Sequence, residues 1–225
     1  MMALRASEAY RLWAPTYSDE TAISFLEDRL VGDMTPPLTG LRLLDVGCGT
    51  GRRIRRAGAA TAVGLDPCRE MLAAGVAADG PLTGIDLVLG DVRDMPLESG
   101  SFDVIWCRLV LGHLPEVGRA YSELARVADA GATIIVSDFH PEAVEAGHRR
   151  SFRLGGDLVE IEHYVHRSAD HVDAARDAGL VLEEIREAAI GNDVRPFYED
   201  AGRLDSYPGH VGLPVVLSLS FRKAR

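Results

Sequence analysis

The chain of 225 residues carries 24 lysines and arginines against 34 aspartates and glutamates, a net charge of −10, with 47% apolar and 26% charged residues. That length suits one domain around a single large core, and the acidic balance argues against a nucleic-acid surface. No apolar stretch approaches the roughly 20 residues of a membrane span. The N-terminus, interrupted by Arg5, Glu8 and Arg11, does not read as a signal peptide. Cys48, Cys68 and Cys107 lack metal or disulfide spacing, so the expectation is three reduced thiols and a cytoplasmic chain.

Residues 4 to 31 read as helical, with Pro15 as an interruption and Tyr10, Trp13 and Tyr17 as aromatic members. Pro36, Pro37, Thr39 and Gly40 close that segment. Leu41 to Val46 is short, apolar and bounded by turn signals, which predicts a buried strand. It runs into Asp45-Val46-Gly47-Cys48-Gly49-Thr50-Gly51, where glycine at every second position lets the backbone turn sharply and approach a ligand. A helix is expected from Thr50. A dinucleotide site wants its third glycine one position later, where Arg52 stands, so an NAD enzyme is disfavoured.

Thr61 to Leu65 is a second strand closed by Asp66, and Pro67 is a good first helical residue after it. Asp86 to Gly90 is a third, followed by Asp91-Val92 and Asp94-Met95-Pro96. Phe102-Asp103 opens a fourth strand, Val104 to Leu109, and Val110-Leu111-Gly112-His113-Leu114 follows it. A helix through Tyr121 and Leu124 leads to a fifth strand, Ala132 to Val136, ending at Asp138-Phe139-His140.

Those features, in that order, resemble the class I S-adenosylmethionine-dependent methyltransferases, most closely the type 11 group. The resemblance covers roughly residues 40 to 140. It implies a three-layer, Rossmann-like α/β fold with a seven-stranded, mostly parallel sheet of order 3-2-1-4-5-7-6, the seventh strand antiparallel. It implies S-adenosylmethionine as cofactor, held by Asp45, Gly47, Gly49 and Gly51. Asp66 would accept from the ribose hydroxyls, Met71 would cover the adenine, and Asp91 would accept from the adenine amino group. The Val92 N–H would meet a ring nitrogen, the Cys107 backbone the methionine amino group, and an N-terminal aromatic, Tyr17, its methionine end. The acceptor is expected to be a small molecule, methylated most readily at oxygen. A fold that binds the cofactor without methyl transfer is the alternative.

The remaining segments carry what is particular to this chain. Arg149 to Leu154 and the alternating run Leu158 to His166 flank Gly155-Gly156-Asp157, which predicts a β-hairpin inside an insertion, 141–167, that acts as a lid. Val159, Ile161, His163 and Val165 would line the acceptor pocket, while Glu160, Glu162 and His166 would face solvent or a partner. Arg149, Arg150 and Arg153 would pair with Glu160 and Glu162 across the hairpin. Five of the seven histidines fall between residues 140 and 171. As general base for a hydroxyl acceptor the order of expectation is His140, then His113, then His163. No metal site is expected. Ser168 is a candidate N-cap for a helix ending at Gly179, and strands follow from Leu180 and from Leu213. The whole reads as one domain, with residues 1–35 as an N-terminal helical cap, and a homodimer is left open.

Overall fold

The computed structural model describes residues 3–17, 20–80 and 84–224. Two helices open the chain, α1 (Ala6–Trp13) and α2 (Ala22–Met34), separated by a 3₁₀ turn at Ala14–Thr16 where Pro15 removes a helical donor. Thr21 and Ser24 start α2 reciprocally: the Ser24 N–H donates to Thr21 Oγ1 (3.1 Å) and the Thr21 N–H to Ser24 Oγ (2.8 Å).

The sheet begins with β1 (Arg42–Val46), β2 (Thr61–Asp66), β3 (Ile85–Leu89), β4 (Phe102–Arg108) and β5 (Ala128–Phe139), joined through α3 (Arg69–Asp79) and α4 (Gly118–Val127). After α5 (Pro141–Glu145) comes a separate two-stranded hairpin, β6 (Ser151–Leu154) and β7 (Asp157–Glu160). Then α6 (Ser168–Asp177), β8 (Leu180–Ala189), α7 (Arg195–Asp200), α8 (Tyr207–His210) and β9 (Pro214–Lys223) complete the chain. The seven-stranded sheet has the order β3-β2-β1-β4-β5-β9-β8, with β9 antiparallel to both neighbours. That is the expected order, since the hairpin takes two numbers and turns the sixth and seventh strands into β8 and β9.

Alternation along the central strands supplies two cores. Leu44, Val46, Ile105, Cys107, Ile134 and Val136 face α4 and α6, where Tyr121, Leu124 and Ala175 meet them. Leu43, Val104, Trp106 and Ile135 face the other way, onto Val31 of α2 and Ile54. Strand order reverses between β1 and β4, so their carboxyl ends open a crevice of the kind where open α/β sheets bind ligands. No described helix is long and apolar enough to cross a membrane.

Three local expectations change. The helix after the glycine turn is only a 3₁₀ turn at Ile54–Arg56. Nine residues between Gly51 and Thr61 leave no room for several turns and a return to the sheet, and Arg53 is drawn onto α2 instead, at Asp28 Oδ1 (2.9 Å) and the Ser24 carbonyl (2.9 Å). Strand pairing in the hairpin ends at Glu160. Beyond it, the Glu162 N–H donates to Leu4 (2.7 Å) and the Tyr164 N–H to the Gly112 carbonyl (2.7 Å), so the strict alternation stops: His166 is buried and Val165 is exposed. Finally the N-cap of α6 is Arg167, whose N–H donates to Asp170 Oδ2 (2.7 Å), while Ser168 is the first helical residue.

Candidate active site

The glycine turn is fastened at the carboxyl edge of the sheet. The Gly47 and Cys48 N–H groups donate to the Leu65 carbonyl (2.7 and 3.1 Å), and the Gly49 N–H donates to Asp66 Oδ2 (2.8 Å). Asp66 Oδ1 accepts from the Cys68 N–H (2.8 Å), so this buried carboxylate ties the turn to the start of α3. Gly47 has φ +70°, and a Cβ there would lie 2.2 Å from Val110 Cγ2. Only glycine lets the segment after β4 close over the turn.

Aromatic and sulfur side chains cover the turn from outside. A Cβ on Gly49 would sit 3.1 Å from Met71 Cε and 3.9 Å from Tyr17 Cε1. Tyr17, Met71, Cys68 and Ala14 pack as one cluster with Tyr10. Trp13 extends it, edge-on to Tyr17 (ring centroids 4.6 Å) and stacked on Phe152 of the hairpin (5.2 Å). Leu4 pairs with Ile161, donating to the Glu160 carbonyl (2.9 Å). The N-terminal segment and the hairpin are therefore one packed unit over the crevice.

Below this cover lie two buried polar clusters. In the first, Arg108 at the end of β4 donates through Nε and Nη2 to both carboxylate oxygens of Glu27 (2.9 and 2.8 Å), and Ser137 Oγ donates to Glu27 Oε1 (2.7 Å). Burial works to raise the Glu27 carboxyl, but Arg108, Arg53 and Ser137 hold it below the usual range. Breaking such a buried pair costs about 3–5 kcal/mol, so α2 is firmly keyed to the sheet edge. Asp45 lies close by, almost fully buried, and burial pushes its carboxyl up to about 7 against the pull of Arg108 and Arg53. Among the described residues nothing hydrogen-bonds that carboxylate. A cleft of about 540 Å³ opens against Arg53 and Arg108, lined also by Tyr17, Thr50 and Trp106 among others.

The second cluster centres on Asp138 at the end of β5. Arg150 Nη2 stands 3.7 Å from Asp138 Oδ1, His163 Nε2 4.0 Å from the same oxygen, and His171 Nε2 3.8 Å from Oδ2. These separations exceed a hydrogen bond. Asp138 Oδ2, Arg150 Nε and Nη2, His163 Nε2 and His171 Nε2 are all buried without a partner. Gly112 makes room for them: a Cβ there would come within 2.5 Å of His163 Nε2 and 2.7 Å of Asp138 Oδ1. Burial, then the charge of Arg150, brings His163 down to about 3, and burial with the neighbouring His166 brings His171 to about 4. Arg150, His163 and Phe139 line a cleft of about 340 Å³ at the base of the hairpin.

The expected bases separate. His140 caps α5, its Nδ1 accepting from the Glu142 N–H (3.2 Å), and its Nε2 lies 3.2 Å from Glu187 on β8, so the ring is turned away from β4. His113 Nε2 accepts from Arg150 Nη1 (2.9 Å) and lies 3.0 Å from the Tyr10 hydroxyl. Burial and Arg150 hold its pKa well below the ordinary histidine value. Of the three, His163 alone keeps an unpartnered buried ring nitrogen. Asp91 is already clamped by Arg93, through Nε (2.9 Å) and Nη2 (2.6 Å), and the Val92 side chain packs in the core. Cys107 lies beside Val46 in the β1–β4 register, its thiol buried.

The arginines of the hairpin do not pair with Glu160 and Glu162 as expected. Arg149 and Arg153 donate to backbone carbonyls, and Arg150 turns inward to the Leu109 carbonyl (2.8 Å). Asp138, Arg150, Glu27 and His171 were not among the expected site residues. The one signal for Arg108 is that it is charged within an otherwise apolar stretch, Val104–Leu109, whereas Glu27 sits beside Asp28 and Arg29 and gives no such signal. No group of three or more metal-ligating side chains among the described residues has metal-binding geometry.

The geometry has known counterparts. Residues 44–136 match the family model for a methyltransferase domain. The chain is 29% identical to 27-O-demethylrifamycin SV methyltransferase of Amycolatopsis mediterranei, over 81% of this chain and 68% of that one. It is 30% identical to nocamycin O-methyltransferase of Saccharothrix syringae, over 75% of this chain and 69% of that one. An S-adenosylmethionine-dependent methyltransferase from Mesorhizobium loti shares the fold, with a TM-score of 0.68, 24% identity and coverage of 88% and 98%. Its sheet order, its glycine turn and a 30% identical relative matched over two thirds of that relative's length agree: the chain belongs to the S-adenosylmethionine-dependent methyltransferases.

Proposed function

We propose that the protein transfers methyl groups to an oxygen of a small-molecule acceptor, bound in the cleft between the β4–β5 edge and the hairpin. One observation carries this reading: the segment Leu109–Gly112 touches both sites. Val110 closes over Gly47 on the cofactor side, while Leu109 and Gly112 meet Arg150 and His163 on the cleft side. A donor and an acceptor held against one short segment are aligned by the same backbone, and alignment is most of what this transfer needs.

The residues present fit the cofactor. Asp45 offers a buried carboxylate without a partner, suited to an ammonium group, and under the Tyr17–Met71 cover Gly47, Gly49 and Gly51 leave every second position of the turn free of a side chain. In this reading Asp45, Gly47, Gly49, Gly51 and the Cys107 backbone hold the methionine portion, and Asp66 accepts from the ribose while keeping its two backbone bonds. Met71, Asp91 and Val92 flank the adenine, with Arg93 yielding one oxygen of Asp91. When bound, S-adenosylmethionine supplies a methyl group on a good leaving group. The N-terminal segment and the hairpin exclude water from the crevice, as cap and lid.

His163 is the group placed to take a proton from an acceptor hydroxyl, with Asp138 beside it to stabilise the charge that forms. Its low pKa keeps it neutral and able to accept, though weakly basic. That weakness favours a second reading, an acceptor that arrives ionised and needs no base. Formation of S-adenosylhomocysteine from candidate acceptors tests the transfer itself. A His163→Gln variant separates the two readings: loss of about 10²-fold in turnover supports the base, and near-normal turnover supports alignment alone.

A further inference from the structure

Arg150 has more donors than the protein uses. Its side chain is only 9% exposed, and Nη1 is fully engaged by the Leu109 carbonyl and His113 Nε2. Nε and Nη2 have no partner. Asp138 does not complete this edge: its Oδ1 already accepts from the Phe139 N–H (2.8 Å) and stands 3.7 Å from Nη2. Phe139 supports the guanidinium from one face, with Cζ 5.5 Å from the ring centroid, and fixes its plane. Both residues line the 340 Å³ cleft.

The Nε–H and Nη2–H of a guanidinium point the same way, at the spacing of the two oxygens of a carboxylate. Buried donors in native structures have partners, and the side chain that carries this pair lines a cavity large enough to admit one. We infer that the acceptor carries a carboxylate, seated side-on against the Nε–Nη2 edge of Arg150. A phosphate fits less well, because Glu160 and Glu162 share the cleft and a dianion would meet them; Glu162 is exposed and bonded to the Tyr164 hydroxyl (3.0 Å). The seat also ties recognition to the reacting region, since the other edge of Arg150 holds Leu109. This inference rests on the reading of the cleft as the acceptor site and names the class of acceptor.

Matched acid and amide probes test it, namely benzoate against benzamide and hexanoate against hexanamide. Each is titrated calorimetrically into the full chain saturated with S-adenosylhomocysteine. The acids should bind about tenfold more tightly than their amides or better, the strength of charged hydrogen bonds. Arg150→Lys keeps the charge without the fork and should lose most of that preference. Arg150→Ala should lose all of it, and added guanidinium should restore part. S-adenosylhomocysteine affinity should stay within about twofold in each variant, which also reports folding. Equal binding of acids and amides to the unmodified protein overturns the inference, as does an acid preference that survives in Arg150→Lys undiminished. Failure of the methyl-transfer reading shows separately, as absence of S-adenosylhomocysteine binding before any probe is added.

Discussion

Arg150 Nη1 donates to the carbonyl of Leu109, which has φ 56° and is the one non-glycine residue with a positive φ among those described. Side chains rarely adopt that conformation without support, and it costs of order 1–3 kcal/mol. The strain sits at the carboxyl end of β4, between the glycine turn and the polar cleft. Leu109→Gly, which relieves the strain, should leave the fold intact or slightly more stable by thermal denaturation, while lowering turnover through a looser turn.

Asp66 does two things in this arrangement, since both its oxygens already accept backbone N–H bonds from the turn and from α3. Asp66→Ala should weaken S-adenosylhomocysteine binding by about 1–3 kcal/mol, the cost of unpaired buried donors plus any lost ribose contact. Asp66→Asn retains an acceptor oxygen and should fall in between. An unchanged dissociation constant for the alanine variant in calorimetry would move the ribose contact elsewhere.

Asp45 gives a pH signature. Burial raises its carboxyl to about 7 in the folded protein, above its unfolded value, so the folded state holds a proton that the unfolded state has released. Its contribution to stability is therefore fully present at low pH and falls as pH rises towards about 7. If the ionised form pairs with the cofactor ammonium, binding should tighten as pH rises through that range. Calorimetric affinities between pH 6 and 8 should show that trend in the unmodified protein and lose it in Asp45→Asn.

The strands and the glycine turn were legible because their signals are local: Leu43-Leu44-Asp45 sets a buried strand, and glycine at 47, 49 and 51 allows the turn. What escaped depends on partners far away in the chain. Ile161 to His166 alternate like a strand, yet the Glu162 and Tyr164 N–H groups bond to Leu4 and Gly112, so His166 ends up buried on the Leu114 carbonyl (2.9 Å). His140 follows β5 as expected, but β8, the strand beyond β9, offers it Glu187, and the ring turns that way. The two arginines at 149 and 150 look alike in sequence; packing on Phe139 and hydrogen bonds to the Leu109 carbonyl and His113 send one inward.

Among the histidines, His163→Ala should lower turnover with cofactor binding retained, as argued above. His140→Ala should affect stability more than rate, because it removes the cap of α5 and the Glu187 contact. Steady-state kinetics beside thermal melts would show the split. A rate loss in His140→Ala larger than in His163→Ala, with melting unchanged, would return the base to His140.

The hairpin is not an independent appendage. Leu4 pairs with Ile161, and Trp13 stacks on Phe152 while meeting Tyr17. Replacing residues 149 to 166 by a short Gly-Ser turn should abolish acceptor turnover and also weaken S-adenosylhomocysteine binding, since Tyr17 loses its support. Circular dichroism should still report the folded sheet. Cofactor binding at full strength in that deletion would show that the N-terminal segment holds its place alone.

The relation of the two sites is tested most directly by a crystal structure with S-adenosylhomocysteine bound. The account predicts the adenosyl group along Gly47–Gly51 and Asp66, and the sulfur directed at the Leu109–Gly112 segment, with His163 and Arg150 on its far side. A sulfur directed away from that segment, or a nucleoside outside the glycine turn, would contradict it.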